Sequence, residues 1–546
     1  MRRRAVRSLG LLLLAATPAR AQQPASTPTT VEPHVHPAGD PRQLGRVHFP
    51  VSCTPAAQEK FNLAVAILHS FWYEESEKAF AEVVEADPQC VMGYWGIAMS
   101  LYHPLWEPPR DVTRVRGLLD KARAIGGRTD REREFLGAID VIYRDADTVP
   151  LLTRARAWEK AHEQIHLRYP KDHEAAIFYG LALLATALPT DKTYANQIKA
   201  GAILEEILPE EPGHPGLAHY IIHAYDFPEL ALHGFADAHA YAKIAPAVPH
   251  ALHMPSHIFT RLGDWPASIE SNLAAARSAR DYAARLKVDA AYDEQLHAMD
   301  YLAYAYLQIG QEARARAVVD ELARIRKVFP ENFKTAYAFA AIPARFALER
   351  RQWGEAAGLT VRPGPFPPAD AITHFARAYG LARAGRLAEA QESLVQLEAT
   401  RGALADKDKY WAEQVEVQCR AASAWIAYGK GQTEEALRLA RAAADLEDST
   451  EKHPVTPGPV VPARELLGDL MLEMGRPRQA LPELEAVLAA APNRFGALYG
   501  AAHAAAQVSD ADRATRYFTQ LTSQSAHADG ERRELVEARE FLAKHP

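Results

Sequence analysis

Several classes of protein are made improbable by what this chain lacks. Its 62 lysines and arginines form no basic stripe and the net charge is −7, which argues against nucleic-acid binding. After the first 21 residues no apolar run approaches the roughly 20 residues of a membrane helix, so no transmembrane segment is expected. There is no G-x-S-x-G, P-loop or G-x-G-x-x-G motif, so serine hydrolysis and nucleotide chemistry have no support.

Cysteine is scarce as well, with three in 546 residues. Cys53 and Cys90 bracket the first predicted helical hairpin, and a disulfide between them would tie the incoming chain to the turn after that hairpin. Cys419 lies in a helical run and is predicted to be a buried, small apolar residue rather than a nucleophile.

The N-terminus has the pattern of an export signal. Arginines 2, 3, 4 and 7 precede a short apolar core and the small-x-small site 19–21, so residues 1–21 are predicted to be a signal peptide. Residues 22–50, rich in Pro, Thr, Ser and Gln at their start, are predicted to form a disordered leader. The mature protein is therefore expected in the periplasm or outside the cell.

Histidine, by contrast, is concentrated in one part of the chain. Eight of its 22 histidines lie in the 44 residues from His214 to His257, where an even spread would place about two. At helical spacing they form, with two aspartates, three clusters: His219, His223 and Asp226; His250, His253 and His257; His297 and Asp300. Imidazole is the commonest metal-ligating side chain, so the crowding indicates chemistry. His214, His233 and His239, taken singly, are predicted to be ordinary solvated or hydrogen-bonded residues.

The remainder is a helical array with no alternating strand runs. Small and apolar residues recur at helical spacing and a proline closes each unit after about 34 residues. Examples are Ala64, Tyr73, Ser76, Phe80 and Pro88; Gly263, Trp265 and Ser268; Gly310, Ala315 and Val319; Gly385, Leu387, Ala390 and Leu394; Gly475, Ala480, Leu484 and Pro492; Ala502, Ala514 and Phe518.

This pattern resembles the tetratricopeptide repeat (TPR) family from about residue 56 to 544, most loosely over 105–160. The resemblance implies an all-α fold, a TPR-like α-solenoid in which helical hairpins form a right-handed superhelix. We divide it into an N-terminal solenoid, 51–330, with the His/Asp clusters, and C-terminal repeats, 331–546. The motifs HxxxHxxD at 219–226 and HxxHxPxH at 250–257 are similar to those of exported bacterial TPR proteins, a likeness that implies no particular activity.

The resemblance also implies that the second, fifth, ninth and twelfth positions of each repeat face the concave groove. All eight clustered residues occupy such positions in three adjacent repeats, so all are expected to line one groove. Pairs at i and i+3 or i+4 can share one ion, whereas three ligands over two turns span roughly 10 Å. The clusters therefore predict two ions, or one ion with the other histidines around it. Nitrogen and carboxylate ligands favour Cu, Zn or Fe over Ca or Mg.

Two functions stay open. The groove binds one or two transition-metal ions and, if the protein is an enzyme, the ion activates water or dioxygen with Asp226 or Asp300 as base or ligand. Alternatively the protein is a non-catalytic scaffold whose groove holds a protein, a peptide or a small molecule. Pro255, which lacks a backbone N–H, is expected to kink or delay its helix and to shift the register of His250 and His253.

Two further histidine features lie outside these clusters. His162, Glu163 and His166 match H-E-x-x-H, yet the repeat register places His162 among inward-packing residues, so the match is interpreted as coincidence. His69 and His103 lie near the groove edge among aromatic residues that are predicted mainly to fill the repeat core. The irregular stretch 101–109 could form a lip over the groove.

Overall fold

The computed structural model describes residues 41–545, and the side chains from residue 43. The predicted signal peptide and most of the predicted leader, residues 1–40, lie outside the described residues. Within the described part of the chain there is no helix long and apolar enough to span a membrane.

The described chain is almost entirely helical, with one short 3-10 helix, Pro41–Leu44, and one pair of very short strands. The first thirteen α-helices are α1 (Pro55–His69), α2 (Tyr73–Ala86), α3 (Val91–Ser100), α4 (Val112–Ile125), α5 (Asp130–Tyr143), α6 (Leu151–Arg168), α7 (His173–Thr186), α8 (Ala195–Ile207), α9 (Pro215–Tyr225), α10 (Phe235–Ile244), α11 (Pro249–His253), α12 (Pro255–Leu262) and α13 (Trp265–Arg285).

The remaining helices are α14 (Asp293–Gln308), α15 (Glu312–Arg324), α16 (Phe333–Glu349), α17 (Trp353–Ala357), α18 (Pro367–Arg383), α19 (Leu387–Leu404), α20 (Lys409–Gly429), α21 (Thr433–Asp448), α22 (Ala463–Glu473), α23 (Pro477–Ala490), α24 (Phe495–Gln507), α25 (Ala511–Gln524) and α26 (Arg533–Lys544). Strands β1 (Ala291–Tyr292) and β2 (Val328–Phe329) pair in parallel.

The helices pair as antiparallel hairpins, and each hairpin packs on the next. Small residues at the hairpin crossings allow this close approach: a Cβ added at Gly96 of α3 would lie 2.1 Å from a ring carbon of Phe80 on α2. One hydrophobic core runs from Leu44 to Tyr292 and a second from Tyr337 to Ala538, with a smaller core between them. The all-α solenoid predicted from the repeats is confirmed; the division at residue 330 stays a prediction.

Both predictions about cysteine are confirmed. Cys53 and Cys90 form a disulfide with their Cα atoms 4.9 Å apart, which joins the chain before α1 to the start of α3. Cys419 is buried in α20, and burial raises the pKa of its thiol to about 12. A thiol with so high a pKa is a poor nucleophile at neutral pH.

The segment joining α21 to α22, residues 449–462, reaches across to the N-terminal helices. Glu451 donates its backbone N–H to the carbonyl of Pro189, and its carboxylate accepts from Tyr194 Oη at 2.8 Å. Lys452 Nζ lies 2.7 Å from Asp226 Oδ2. This connecting segment of the C-terminal half therefore lies in the groove beside the histidine clusters.

Candidate functional site

The six clustered histidines lie on helices α9, α11, α12 and α14, and all are buried. The proline between His253 and His257 divides their helix into α11 and α12, which meet at Met254. Met254 keeps right-handed helical dihedral angles (φ −53°, ψ −36°), so the break is small. The interruption of the helix expected at Pro255 is present, while His253 and His257 still face each other with 3.0 Å between their Nε2 atoms.

Three of these histidines form a first triad, His219, His223 and His250, whose potential ligand atoms all lie within 4.8 Å of one another. The ring centroid of His219 is 4.8 Å from that of His223 and 5.1 Å from that of His250. The Nε2 atom of each of these three histidines is buried and has no hydrogen-bond partner among residues 41–545. A buried polar atom without a partner is costly, so three within one triad require an explanation.

Hydrogen bonds at Nδ1 orient two of these rings. His219 Nδ1 lies 2.6 Å from the carbonyl oxygen of His69, which can only accept, so Nδ1 carries the proton and Nε2 the lone pair. His250 Nδ1 donates to Glu294 Oε2 at 3.3 Å. Burial opposes ionisation of Glu294, but Lys334 and His250 hold the pKa of that carboxyl well below its usual range. Partners of this kind at Nδ1 are typical of histidines that ligate through Nε2.

A second triad contains His253, His257 and His297, again with potential ligand atoms within 4.8 Å of one another. His257 Nδ1 donates to Asp226 Oδ2 at 2.8 Å. His253 Nδ1 lies 2.6 Å from Asn272 Oδ1, and the Asn272 amide is oriented by its own donation to the Ser268 carbonyl. Both Nδ1 protons are thus used, so the two Nε2 atoms face each other with lone pairs and need a shared proton or metal ion between them.

The two triads are neighbours in the groove. Ring centroids are 6.0 Å apart between His223 and His257, and 6.1 Å apart between His250 and His253. Burial, and then the neighbouring histidines, hold the pKa of His219, His223, His253 and His297 well below the ordinary imidazole value. These rings are therefore neutral at neutral pH, which is the form that binds metal.

The two aspartates of the clusters, Asp226 and Asp300, are both buried but have different partners. Asp226 Oδ1 accepts from Arg261 Nε at 2.9 Å, while its Oδ2 accepts from His257 and Lys452. It therefore supports the second triad through His257. Asp300 lies 3.7 Å from Arg345 Nε, and among the described residues neither of its oxygens has a hydrogen-bond partner. Burial raises the pKa of Asp300 to about 6, even though Arg345 opposes the shift.

Aromatic rings lie against the first triad. Phe71 lies 4.3 Å from the His219 ring, and Trp106 lies 6.3 Å from both His223 and His250. Trp106 belongs to the irregular stretch 101–109, so this stretch does form a lip over the histidines. His223 and Asp226 also border a cavity of about 170 Å³ whose other walls include Leu188, a residue that precedes α8.

A third buried group was not predicted from the sequence. Glu174 accepts from His69 Nε2 at 3.0 Å and from His214 Nε2 at 3.1 Å, and His69 Nδ1 is 2.9 Å from Tyr220 Oη. His214 is thus a hydrogen-bonded residue, as expected, and it stays outside the two triads. No local motif joins residues 69, 174 and 214, so sequence spacing could not have found the group. It supports the first triad, since the carbonyl of His69 accepts from His219.

The H-E-x-x-H match is structurally unrelated to the triads. His162 packs against Trp158, Phe178 and Phe135 with its side chain fully buried. Burial lowers the pKa of its imidazole to about 3. Glu163 instead forms an ion pair with Lys160 at the surface. The interpretation of this motif as coincidence is confirmed by the inward packing.

Chemically, the groove offers two adjacent sets of three imidazoles with several ring orientations already set by hydrogen bonds. Such a set suits a borderline or soft transition metal and is unsuited to Ca²⁺ or Mg²⁺, which prefer oxygen ligands. Three protein ligands leave further coordination positions for water or a substrate.

Comparison with known proteins yields structures but no sequence relatives. No protein-family model and no curated protein matches the chain. A tetratricopeptide repeat protein from Parabacteroides merdae is similar at 15% identity and a TM-score of 0.27, covering 54% of this chain and 97% of that one. The human IFIT1 dimer with m7Gppp-AAAA is similar at 12% identity and a TM-score of 0.37, covering 90% and 100%. The APC/C Cut9–Hcn1 assembly has 11% identity, a TM-score of 0.31 and 90% coverage of both chains.

These likenesses concern the fold alone. The stacked antiparallel hairpins, with a small residue where their helices cross, make this chain a solenoid of the tetratricopeptide type.

Proposed function

We propose that the groove binds one or two transition-metal ions, Cu, Zn or Fe, through the two histidine triads. The observation that carries this proposal is that His219, His223 and His250 each have a buried Nε2 without a partner among the described residues, in a triad whose potential ligand atoms lie within 4.8 Å of one another. An ion at their centre would satisfy all three at once. In a core without an ion, each would cost about 1–3 kcal/mol of desolvation.

The second triad supports a second ion. Metal–nitrogen bonds of about 2.0–2.1 Å at angles near 90–110° place two ligating nitrogens about 2.9–3.4 Å apart. The 3.0 Å between His253 Nε2 and His257 Nε2 falls in this range. His297, whose ring centroid is 4.1 Å from that of His253, would supply the third nitrogen.

As an enzyme, the protein would use such an ion to activate water or dioxygen at the open coordination positions. Asp226 would hold the proton on His257 Nδ1, since Lys452 and Arg261 keep its own pKa low despite burial. That low pKa makes Asp226 a poor general base. Asp300, with a pKa of about 6, is the better candidate of the two for proton transfer. Tyr301 Oη lies 3.3 Å from His257 Nε2, beside the second triad.

The first test measures metal content directly. The protein would be purified without a metal-affinity tag, dialysed against a mild chelator and analysed by inductively coupled plasma mass spectrometry. We expect one or two equivalents of a single transition metal. His223→Gln and His257→Gln each disable one triad, so each should remove up to one equivalent, and the double variant should retain almost none.

The matched control replaces two exposed histidines in the same stretch, His233→Gln and His239→Gln, which should leave the metal content unchanged. Circular dichroism would verify that every variant is folded. Substoichiometric metal in the folded wild-type protein, not restored by adding Cu, Zn or Fe salts, would contradict the proposal.

The alternative function is a non-catalytic scaffold that binds a protein or peptide, with the histidines serving only as hydrogen-bonding groups. The repeat architecture favours it, because stacked helical hairpins expose extended concave surfaces. Burial of all six triad histidines opposes direct contact between them and a peptide. Cross-linking and affinity capture from the native host should recover a specific partner if this alternative holds, and metal-free protein should capture it equally well.

We further propose that the protein functions in the periplasm or outside the cell. The Cys53–Cys90 disulfide supports an oxidising compartment. Cell fractionation, with N-terminal sequencing of the mature chain, would test this proposal. An intact N-terminus in the cytoplasmic fraction would contradict it.

A further inference from the structure

A second, larger cavity is lined mainly by the C-terminal half of the chain, with Lys192, Pro228, Glu229 and Arg261 contributed by the N-terminal half. Its volume is about 660 Å³, which falls within the usual range of small-molecule sites. Helices α16, α18, α20, α21, α22 and α23 and the 449–462 segment form most of its walls. None of the six triad histidines is among its lining residues; Lys452 and His453 border both this cavity and the smaller one beside His223.

The walls of the cavity are mainly apolar and aromatic. Apolar side chains come from four helices and the connecting segment: Ile372, Phe375, Val417, Val460, Leu466 and Val487. Trp411, Tyr410 and His453 form an aromatic corner, in which the His453 ring centroid is 5.1 Å from Trp411 and 5.9 Å from Tyr410. Such walls favour a ligand with a flat, apolar body.

Every cation on the walls already has a protein carboxylate as a partner, although Arg261 and Lys452 share one. Lys192 pairs with Glu451, Arg261 and Lys452 pair with Asp226, and Arg464 pairs with Asp448 at 2.6 Å. An anionic ligand would therefore have to break an existing ion pair. This favours an uncharged ligand.

The wall carboxylates do not favour a cation either. Asp448 and Glu451 are the ion-paired residues just described, and burial raises the pKa of Glu447 to about 8, so its carboxyl is neutral at pH 7. Glu229, exposed at the rim, accepts from Tyr194 Oη.

Two polar groups on the wall are candidates for ligand contact: Gln418, whose buried Oε1 has no hydrogen-bond partner among the described residues, and His453. His453 Nδ1 accepts the backbone N–H of Val455 at 3.3 Å, so the proton of the neutral ring resides on Nε2. Burial keeps the ring neutral by lowering its pKa to about 3. Among residues 41–545, no hydrogen-bond acceptor contacts this Nε2–H. The cavity therefore offers one oriented donor in an otherwise apolar corner.

We propose that the cavity binds a neutral, ring-bearing small molecule, whose flat body packs against Trp411 and Phe375 and whose carbonyl or other acceptor oxygen accepts from His453 Nε2. This site is separate from the metal sites and does not depend on them. A hydrophobic side chain of a bound peptide would fill the same space only if another part of the peptide placed a neutral acceptor against His453 Nε2.

The test uses 6-propionyl-2-dimethylaminonaphthalene, a neutral naphthalene with a carbonyl acceptor and an emission that reports polarity and hydrogen bonding. A fluorescence titration should saturate at one site per chain. Anilinonaphthalene sulfonate, which has similar rings but carries a negative charge, should bind at least tenfold more weakly. Failure of the neutral probe to saturate, or equal or tighter binding of the sulfonate, would overturn the proposal.

Variants locate the probe. Ala486 is an exposed residue of α23 on the cavity wall, so Ala486→Trp should fill the entrance and abolish saturable binding. Ala399→Trp, at an exposed position of α19 away from the cavity, is the matched control and should bind like the wild type. Wild-type affinity in Ala486→Trp would place the probe elsewhere and overturn the assignment.

The donor is tested by His453→Phe, which retains an aromatic ring and removes the N–H. Affinity for the carbonyl probe should fall about fivefold, the effect of losing one hydrogen bond, and its bound emission should shift to the blue. Affinity for N-phenyl-1-naphthylamine, which lacks a carbonyl, should change less than twofold. Equal losses for both probes would overturn the role of His453. Because metal content is measured separately, failure of this proposal is distinguishable from failure of the metal proposal.

Discussion

Hydrogen bonding at Nδ1 decides which nitrogen each groove histidine can offer to a ligand. The carbonyl of His69 and the carboxylates of Glu294 and Asp226 accept from His219, His250 and His257, so the Nε2 lone pairs of these rings point inward. A ring oriented in advance loses little conformational entropy when it binds an ion. His69 lies on α1, Glu294 on α14 and Asp226 just after α9, which explains why the helical spacing of the histidines revealed the candidate ligands and not their partners.

His162 provides a residue-scale prediction because both of its ring nitrogens are buried and, within the described residues, have no hydrogen-bond partner. His162→Phe retains a planar ring against Trp158 and Phe178 and removes the desolvated nitrogens. We expect the free energy of unfolding to rise by about 1 kcal/mol, as measured by urea denaturation.

His239→Phe, at an exposed position, is the control for this prediction and should change stability by less than about 0.5 kcal/mol. A loss of stability in His162→Phe would show that the His162 pocket cannot accommodate the larger ring, and that packing outweighs the desolvation of the two nitrogens.

At the scale of the helices, the break at Pro255 leaves the contact between His253 and His257 intact. Pro255 removes one backbone hydrogen bond, and the chain responds by ending α11 and beginning α12 at Met254 with little change of direction. The sequence correctly predicted that Pro255 interrupts the helix. It could not predict that His253 and His257 would keep their mutual contact, because that depends on Asn272 of α13 and Asp226 after α9.

The junction of α21 and α22 provides a prediction about pH. Glu447 Oε2 accepts the backbone N–H of Ala463 at 2.7 Å, and burial raises the pKa of its carboxyl from 4.5 to about 8. The folded state therefore binds this proton more tightly than the unfolded state does. The resulting stabilisation is complete below pH 4.5 and is lost as the pH rises through about 8.

Glu447→Gln keeps an acceptor oxygen for Ala463 and removes the titration. Between pH 5 and pH 9, chemical denaturation should show a smaller decrease in stability for this variant than for the wild type. Glu398→Gln, at an exposed position of α19, should follow the wild-type profile. Identical profiles for Glu447→Gln and the wild type would contradict the raised pKa.

At the scale of the whole described chain, residues distant in sequence close the groove. Trp265 Nε1 donates to the carbonyl of Asn493 at 2.9 Å, and Arg494 Nη1 lies 3.1 Å from Tyr304 Oη. Together with the Lys452–Asp226 ion pair, these contacts connect the histidine-bearing helices to the C-terminal repeats. The C-terminal repeats therefore contribute directly to the surroundings of the triads.

Gly263 provides a prediction about this closure. It has a left-handed φ of +68°, and an added Cβ would lie 2.2 Å from the carbonyl oxygen of Pro492. Gly385 has a similar φ of +76° with no atom within 4 Å of such a Cβ, so Gly385→Ala measures the backbone cost alone, about 1 kcal/mol.

Gly263→Ala should cost at least about 2 kcal/mol more than Gly385→Ala, because the chain near Pro492 must also move. Thermal unfolding of the two variants would measure the difference. Limited proteolysis should cleave Gly263→Ala faster near residues 449–462 and 492. Equal stability and equal cleavage in the two variants would show that the contact at Pro492 is dispensable.

The sequence by itself determined the helical repeats, the Cys53–Cys90 pairing and the common orientation of the six histidines, because each depends on local periodicity or on residues near one hairpin. Only the tertiary structure sorted the histidines into two triads, attached Asp226 to His257 rather than to a ligand set, and brought Lys452 and His453 into the groove. These outcomes depend on contacts between residues up to 226 positions apart. Such contacts are set by how the hairpins stack and where a long connection passes, which helical spacing does not encode.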